Sequence, residues 1–206
     1  DDMVKNYGAD SLRIYEMFMG PLESAKPWDP NGIEGSKRFL DRVWRLYTSD
    51  LIKDEENKNL ERIYHYTVKK VTNDYETMNF NTAISQMMIF VNAVNKEKVF
   101  PKEYAEGFVK LLNPIAPHIT EELWNMLGHA GTIAYEKWPE YDEAKTIEDT
   151  ITLPIQFNGK LKAIIQIALD EDEASIKEKV HAAIADKLDG KTIVKEIYVK
   201  NRIYNI

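Results

Sequence analysis

Phe39, Leu40, Val43, Trp44 and Tyr47 recur at spacings of three and four. This pattern predicts a helix from about Gly32 to Leu51 with those side chains on one face. Upstream, residues 1–19 carry Met3, Val4, Tyr7, Leu12, Ile14 and Tyr15. They predict one or two helical segments, broken at Gly8 and stopped by Gly20-Pro21. Residues 20–31 predict a loop containing Trp28. A second long helix is predicted from about Asn59 to Thr77. A third is predicted from Ala83 to about Asn95, with Asn81 as its cap and Phe80 as the flanking hydrophobe of a staple. Pro101-Lys102-Glu103 opens a further helix, and Pro114 and Pro117 bound a short connection. A last helix continues through Thr120-Glu121-Glu122-Leu123-Trp124 and stops near Gly128. Glu121-Glu122 is expected at its N-terminus, where acids favour the helix dipole. Long amphipathic helices joined by short loops imply an antiparallel bundle.

The period changes after Thr150. Ile151–Phe157 and Leu161–Leu169 are β-like, and Asn158-Gly159 between them is a hairpin signal. Ala174–Leu188 returns to helical period. Asp189-Gly190 predicts a turn, and Thr192–Val199 and Ile203–Ile206 predict strands. The fold class expected is therefore mainly α: a helical bundle followed by a small β-β-α-β-β unit of α+β type. The expected division is 1–31 as a leading segment, 32–149 as the bundle with an acidic linker over 130–149 anchored by Trp138-Pro139, and 150–206 as the small domain. The amphipathic opening reads as a piece cut from a longer chain.

A 206-residue chain with 44% hydrophobic residues can bury a sizeable core. It has no apolar run long enough to span a bilayer, so no membrane partner is expected. The absence of cysteine excludes disulfides and thiolate metal sites, and it suits a cytoplasmic location. Net charge is −7, which argues against a generic nucleic-acid binder. The charge is uneven: residues 1–150 carry 18 basic and 26 acidic side chains, and residues 151–206 carry 9 basic and 8 acidic. Any RNA contact must come from local basic stripes.

No catalytic constellation is present. His65, His118, His129 and His181 lie in different elements without metal-ligand spacing. There is no Gly-rich phosphate loop and no nucleophile elbow. The patterned basic feature is Arg38, Arg42 and Arg45, at i, i+4 and i+7, opposite Phe39, Val43 and Trp44. It reads either as a solvated face or as a stripe that tracks a phosphate backbone. Lys69-Lys70 could extend it. A second cluster holds Lys160 and Lys162, placed on one face by strand alternation, with Lys195, Lys200 and Arg202. Edge-strand lysines that prevent aggregation are the other reading of that cluster.

The segments Tyr7–Arg13, Tyr15–Leu22, Arg38–Leu46, Phe80–Ile84, Ala116–Trp124 and Gln156–Lys162, taken in order, resemble class I aminoacyl-tRNA synthetases, and the leucyl family in particular. Tyr7-Gly8-Ala9-Asp10-Ser11-Leu12-Arg13 resembles the segment after the KMSKS loop. Tyr15-Glu16-Met17-Phe18-Met19-Gly20-Pro21-Leu22 and Arg38–Leu46 look leucyl. Phe80–Ile84 and Ala116–Trp124 resemble the bundle shared by leucyl, isoleucyl and valyl enzymes, and Gln156–Lys162 resembles the start of the leucyl C-terminal domain. The family usually has Arg where this chain has Lys162, which keeps the charge but loses the fork. The resemblance implies an anticodon-binding-type bundle and a C-terminal tRNA-binding domain of a monomeric enzyme. Such an enzyme joins leucine to tRNA(Leu) with ATP and Mg²⁺. The catalytic and editing domains of the same protein would be its partners, and none of the catalytic or cofactor-binding residues lies in this chain. On that reading Arg38, Arg42, Arg45, Lys69, Lys70, Lys160, Lys162, Lys200 and Arg202 are the candidate tRNA contacts. The same region of a valyl, isoleucyl or methionyl enzyme is the alternative within the class. A helical protein-interaction module is the alternative outside it.

Overall fold

The computed structural model describes residues 2–147, 150–169, 171–188 and 193–206. The chain divides into two compact units, 1–147 and 148–206. The first is a helical bundle: α1 (Asp2–Tyr7), α2 (Ala9–Phe18), α3 (Ile33–Tyr47), α4 (Lys58–Glu76), α5 (Phe80–Glu97), α6 (Lys102–Leu112) and α7 (Pro117–Met126). Gly8, at φ +88°, breaks α1 from α2, a backbone angle that side chains with a Cβ rarely adopt. The core joins Ile14 of α2 to Phe39 and Val43 of α3, Val68 and Val71 of α4, Met87 and Phe90 of α5, Phe108 of α6 and Leu123 of α7. Phe39, Phe90 and Phe108 are fully buried. Helix α2 thus contributes to the bundle core through Ile14, with Met17 packed against it. The loop after α2 is pinned by Tyr15, whose hydroxyl donates to the Asp29 carbonyl at 2.6 Å while its ring meets Trp28 edge-on.

Helix α3 ends at Tyr47, short of the expected Leu51. Beyond it Ile52–Lys53 forms β1, which pairs in parallel with β2 (Phe100–Pro101). This pairing lies 48 positions away in sequence, and no local pattern announces it. Helix α5 starts at Phe80, so Asn81 is inside the helix and not its cap. The chain reverses tightly at Met78, at φ +58°, and the Asn79 N–H donates to the Asp74 carbonyl at 2.7 Å. That turn advances the helix start past the expected cap. Helix α7 starts at Pro117, whose missing N–H suits the first turn. Glu121 is therefore not in the first turn. Its carboxylate instead accepts from Thr132 Oγ1 and, at 3.2 Å, from the Ile133 N–H.

The expected linker over 130–149 is folded as far as Ile147. It carries two 3₁₀ turns, Ile133–Tyr135 and Glu143–Thr146, and runs back along α4. Trp138 Nε1 donates to Thr72 Oγ1 at 2.8 Å, the Asp142 N–H donates to His65 Nδ1 at 3.1 Å, and Lys145 pairs with Glu61 at 2.7 Å.

The second unit holds β3 (Thr150–Phe157), β4 (Lys160–Ala168), α8 (Glu173–Ile184), β5 (Ile197–Val199) and β6 (Ile203–Asn205). The sheet order is β4-β3-β6-β5, with β3 and β6 parallel and the other neighbours antiparallel. Ile176, Val180 and Ile184 of α8 close over Leu153, Ile155, Ile167 and Tyr204. The β-β-α-β-β order is as expected. Asn158 and Gly159 both have positive φ, 48° and 79°, as a primed two-residue hairpin turn requires. The last strand pair is shorter than the expected Thr192–Val199 run. Thr192 and the expected Asp189-Gly190 turn lie outside the described residues.

Candidate nucleic-acid interface

Arg38, Arg42 and Arg45 line one shallow hollow of about 450 Å³ with Phe18, Gly35 and Met88. Its walls come from α2, α3 and α5. The core stripe of α3 runs through Ser36, Phe39, Leu40, Val43, Leu46 and Tyr47. At 100° per residue the arginines fall on the other side of the helix, and Arg42 is the one nearest the stripe. Arg42 is accordingly half-buried while Arg38 and Arg45 are exposed. Trp44, expected on the buried face, sits at the stripe's edge and is 39% exposed.

The three guanidinium groups are weakly occupied. Arg38 meets Glu34 of its own helix at 3.7 Å, both side chains being exposed. Arg45 Nε donates to the Asp41 carbonyl at 3.2 Å. Arg42 Nη1 donates to Asn92 Oδ1 on α5 at 3.1 Å, and its Nε is buried without a partner. Among the described residues, neither Arg42 nor Arg45 has a carboxylate partner. Neutral and backbone acceptors hold the side chains without cancelling their charge.

The structure separates Lys69 and Lys70 from that group. They lie on the outer face of α4 around another hollow, with Tyr66, Asn73 and Tyr141. Lys69 pairs with Glu143 of the folded 130–147 segment, and Lys70 pairs with the buried Asp74 at 2.9 Å. Their charge is already matched.

In the small unit, Lys160, Lys162 and Lys195 line a hollow of about 670 Å³ together with Phe157, Ile197 and Ile206. Strand alternation is not what brings the first two together. Ile155 pairs with Ala163 and Gln156 with Leu161, so Lys162 is the extra residue of a β-bulge. Lys200 and Arg202 flank the turn between β5 and β6. That turn is at the opposite end of the sheet from the Asn158-Gly159 hairpin, because β6 runs parallel to β3. The expected single cluster is therefore two.

Three of the histidines face carboxylates of other segments. His118 donates from Nδ1 to the buried Asp10 at 2.8 Å, His129 meets Glu106 at 2.9 Å, and His181 meets Glu196 at 3.1 Å. Among the described residues no group of three or more His, Asp or Glu side chains could hold a metal ion. No helix there is long and apolar enough to cross a membrane. Sequence reading missed Asn92, Gly35, Phe18 and Met88 as neighbours of the arginines. An arginine stripe on one helix says nothing of which other helix lies beside it.

Residues 57–180 match the family model described as the anticodon-binding domain of tRNA ligase. The chain belongs to this family. It is also similar to an Agrobacterium radiobacter LeuRS (agnB2), solved as a ternary complex with tRNA and LeuAMS. The TM-score is 0.75 at 30% identity, over 99% of this chain and 29% of that one. The chain thus spans less than a third of the length of that LeuRS.

Proposed function

We propose that this chain is the tRNA-binding C-terminal part of a leucyl-tRNA synthetase. Its bundle and its small unit each offer a basic hollow to the RNA backbone. The observation that carries the reading is the hollow of Arg38, Arg42 and Arg45, a gathered cationic surface with little local acid on an otherwise acidic bundle. The likeness to a LeuRS solved with tRNA supports leucine over its class I neighbours. In the complete protein, leucine is joined to tRNA(Leu) with ATP and Mg²⁺, and that chemistry lies in domains outside this chain. The part itself carries no catalytic role. It positions the RNA by phosphate contacts, which fix register without reading sequence.

The small unit adds Lys160, Lys162 and Lys195 around an apolar floor. That mixture suits RNA, where cations take the backbone and apolar surface meets a base or ribose. Binding of a tRNA(Leu) transcript across a salt series tests the reading. Each lost phosphate contact lowers the slope of log affinity against log salt by about one or less. The combined Arg38→Ala, Arg42→Ala and Arg45→Ala variant binds more weakly with a flatter slope. Unchanged affinity and slope in that variant refute the interface. Charging of tRNA(Val) in place of tRNA(Leu) by the complete enzyme refutes the leucyl assignment.

A further inference from the structure

The three-arginine hollow is built around one of its members. Arg42 is the half-buried one, its Nη1 is held by Asn92 from a different helix, and its Nε is buried and unpartnered. Phe18 and Met88 stand beside it. An arginine restrained among apolar walls has less rotamer freedom to lose on binding, and its charge is less screened than one in open solvent.

Gly35, one turn before Arg38, lines the same hollow. A glycine inside a helix weakens it relative to alanine, so its presence asks for a local reason. Packing supplies none, because a Cβ at Gly35 would meet nothing within 4 Å. What the missing side chain does provide is open helix surface beside the arginines.

We propose that Arg42 is the anchor for one phosphodiester of the bound RNA, with Asn92 as its positioning residue and Gly35 as the gap that admits the phosphate. Asn92 Oδ1 takes one hydrogen of Nη1 and Nε is buried, so the donors left for a phosphate are those of Nη2 and the second hydrogen of Nη1. Arg38 and Arg45 flank the anchored group. This rests on the proposed tRNA function and adds to it a specific anchor and aiming residue.

The test is a double-mutant cycle on the full chain with a tRNA(Leu) transcript as probe. Asn92→Ala removes a neutral acceptor from the guanidinium and lowers affinity by about three- to tenfold. The salt slope stays unchanged because no charge is lost. Arg42→Lys keeps the charge but loses the fork, and costs about tenfold. In the Arg42→Lys background, Asn92→Ala has no further effect. Gly35→Ala raises the stability of the bundle yet weakens binding, and Gly35→Glu, which adds a carboxylate where there is room for it, weakens it further. Equal losses from Asn92→Ala in both backgrounds, or wild-type binding by Asn92→Ala and Gly35→Ala, overturn the proposal while the tRNA reading stands. Wild-type binding by the triple arginine variant of the previous section removes that reading instead. Asn92 is exposed, so urea midpoints of the Asn92 variants are expected to match wild type.

Discussion

Asp10 and Ile119 are 109 positions apart, yet the Asp10 carboxylate accepts the Ile119 backbone N–H at 2.7 Å. Ile119 is the third residue of α7, so a carboxylate from α2 caps that helix across the fold. The same carboxylate takes His118 Nδ1 at 2.8 Å. One turn later Arg13 donates to the carbonyls of Ile115 at 2.8 Å and Pro114 at 2.9 Å. Two opposite charges on α2 thus hold the amides that open α7 and the carbonyls that precede it. Asp10→Ala is expected to lower unfolding free energy by about 1–2 kcal/mol, the size of a lost N-cap. His118→Ala should cost under about 0.5 kcal/mol, because that side chain is 73% exposed. Urea denaturation of both variants checks this, and a His118 effect as large as that of Asp10 would count against the cap.

Among the described glycines, Gly107 is the one where an added Cβ would be most crowded, and Tyr64 is what crowds it. A Cβ added at Gly107 would sit 1.8 Å from the Tyr64 hydroxyl oxygen. Tyr64 is itself stacked on Tyr104 at 4.1 Å and cannot swing aside freely. Gly107→Ala is therefore expected to destabilise by roughly 1–3 kcal/mol, despite the better helix propensity of alanine. Tyr64→Phe removes the clashing oxygen and should recover part of that loss in the double variant. Thermal melts of the four proteins give the coupling, and additive effects would show that the two residues do not meet.

His65 makes the docking of the 137–147 segment depend on pH. Its Nδ1 accepts the Asp142 N–H, so that nitrogen must be unprotonated. Burial is the main cause that lowers its pKa below the usual 6.5, and Lys145 adds to it, against the opposing carboxylates Glu61, Asp142 and Glu103. A base with a lowered folded pKa contributes stability that is complete above the ordinary value of 6.5. That contribution declines as pH falls through 6.5 toward the lower folded value. The protection factor of the Asp142 amide, its exchange rate measured against the intrinsic rate at the same pH, should fall over that range, and His65→Leu should remove that pH-dependent component. A profile unchanged by His65→Leu would assign the effect elsewhere.

These contacts mark what the sequence could and could not convey. Helix period, Pro101 at a helix start and Asn158-Gly159 at the hairpin act over a few residues, and each was legible. The arginine stripe was legible for the same reason, since 38, 42 and 45 are neighbours on any helix. What decides its chemistry is Asn92 and Met88 on another helix, joined to it only by tertiary packing. The β1–β2 pairing, the folding of 137–147 onto α4 and the Asp10 cap are likewise long-range. Trp44 misled because a side chain at the edge of an apolar stripe can face either way. Lys162 misled because a bulge resets the two-residue alternation.

Lys70 and Arg38 provide a contrast in which charge does two different jobs. The Lys70 ammonium lies 2.9 Å from Asp74, a carboxylate only 6% exposed that also accepts from Thr82 Oγ1 at 2.8 Å. Removing the cation leaves a mostly buried charge short of its partner, which costs more than the pair itself contributes. Lys70→Met is therefore expected to destabilise the bundle by about 1–3 kcal/mol. Its tRNA affinity should stay within twofold of wild type once the fold is intact, because its charge was already matched. Arg38 is 72% exposed, and the acid it meets, Glu34, lies 3.7 Å away on the same helix. Such a pair is worth little in water, so Arg38→Ala should leave the melting temperature nearly unmoved while reducing tRNA affinity and salt slope. Paired melting and salt-titration measurements on the two variants decide it. A loss of RNA affinity at Lys70 equal to that at Arg38 would put the outer face of α4 back into the interface.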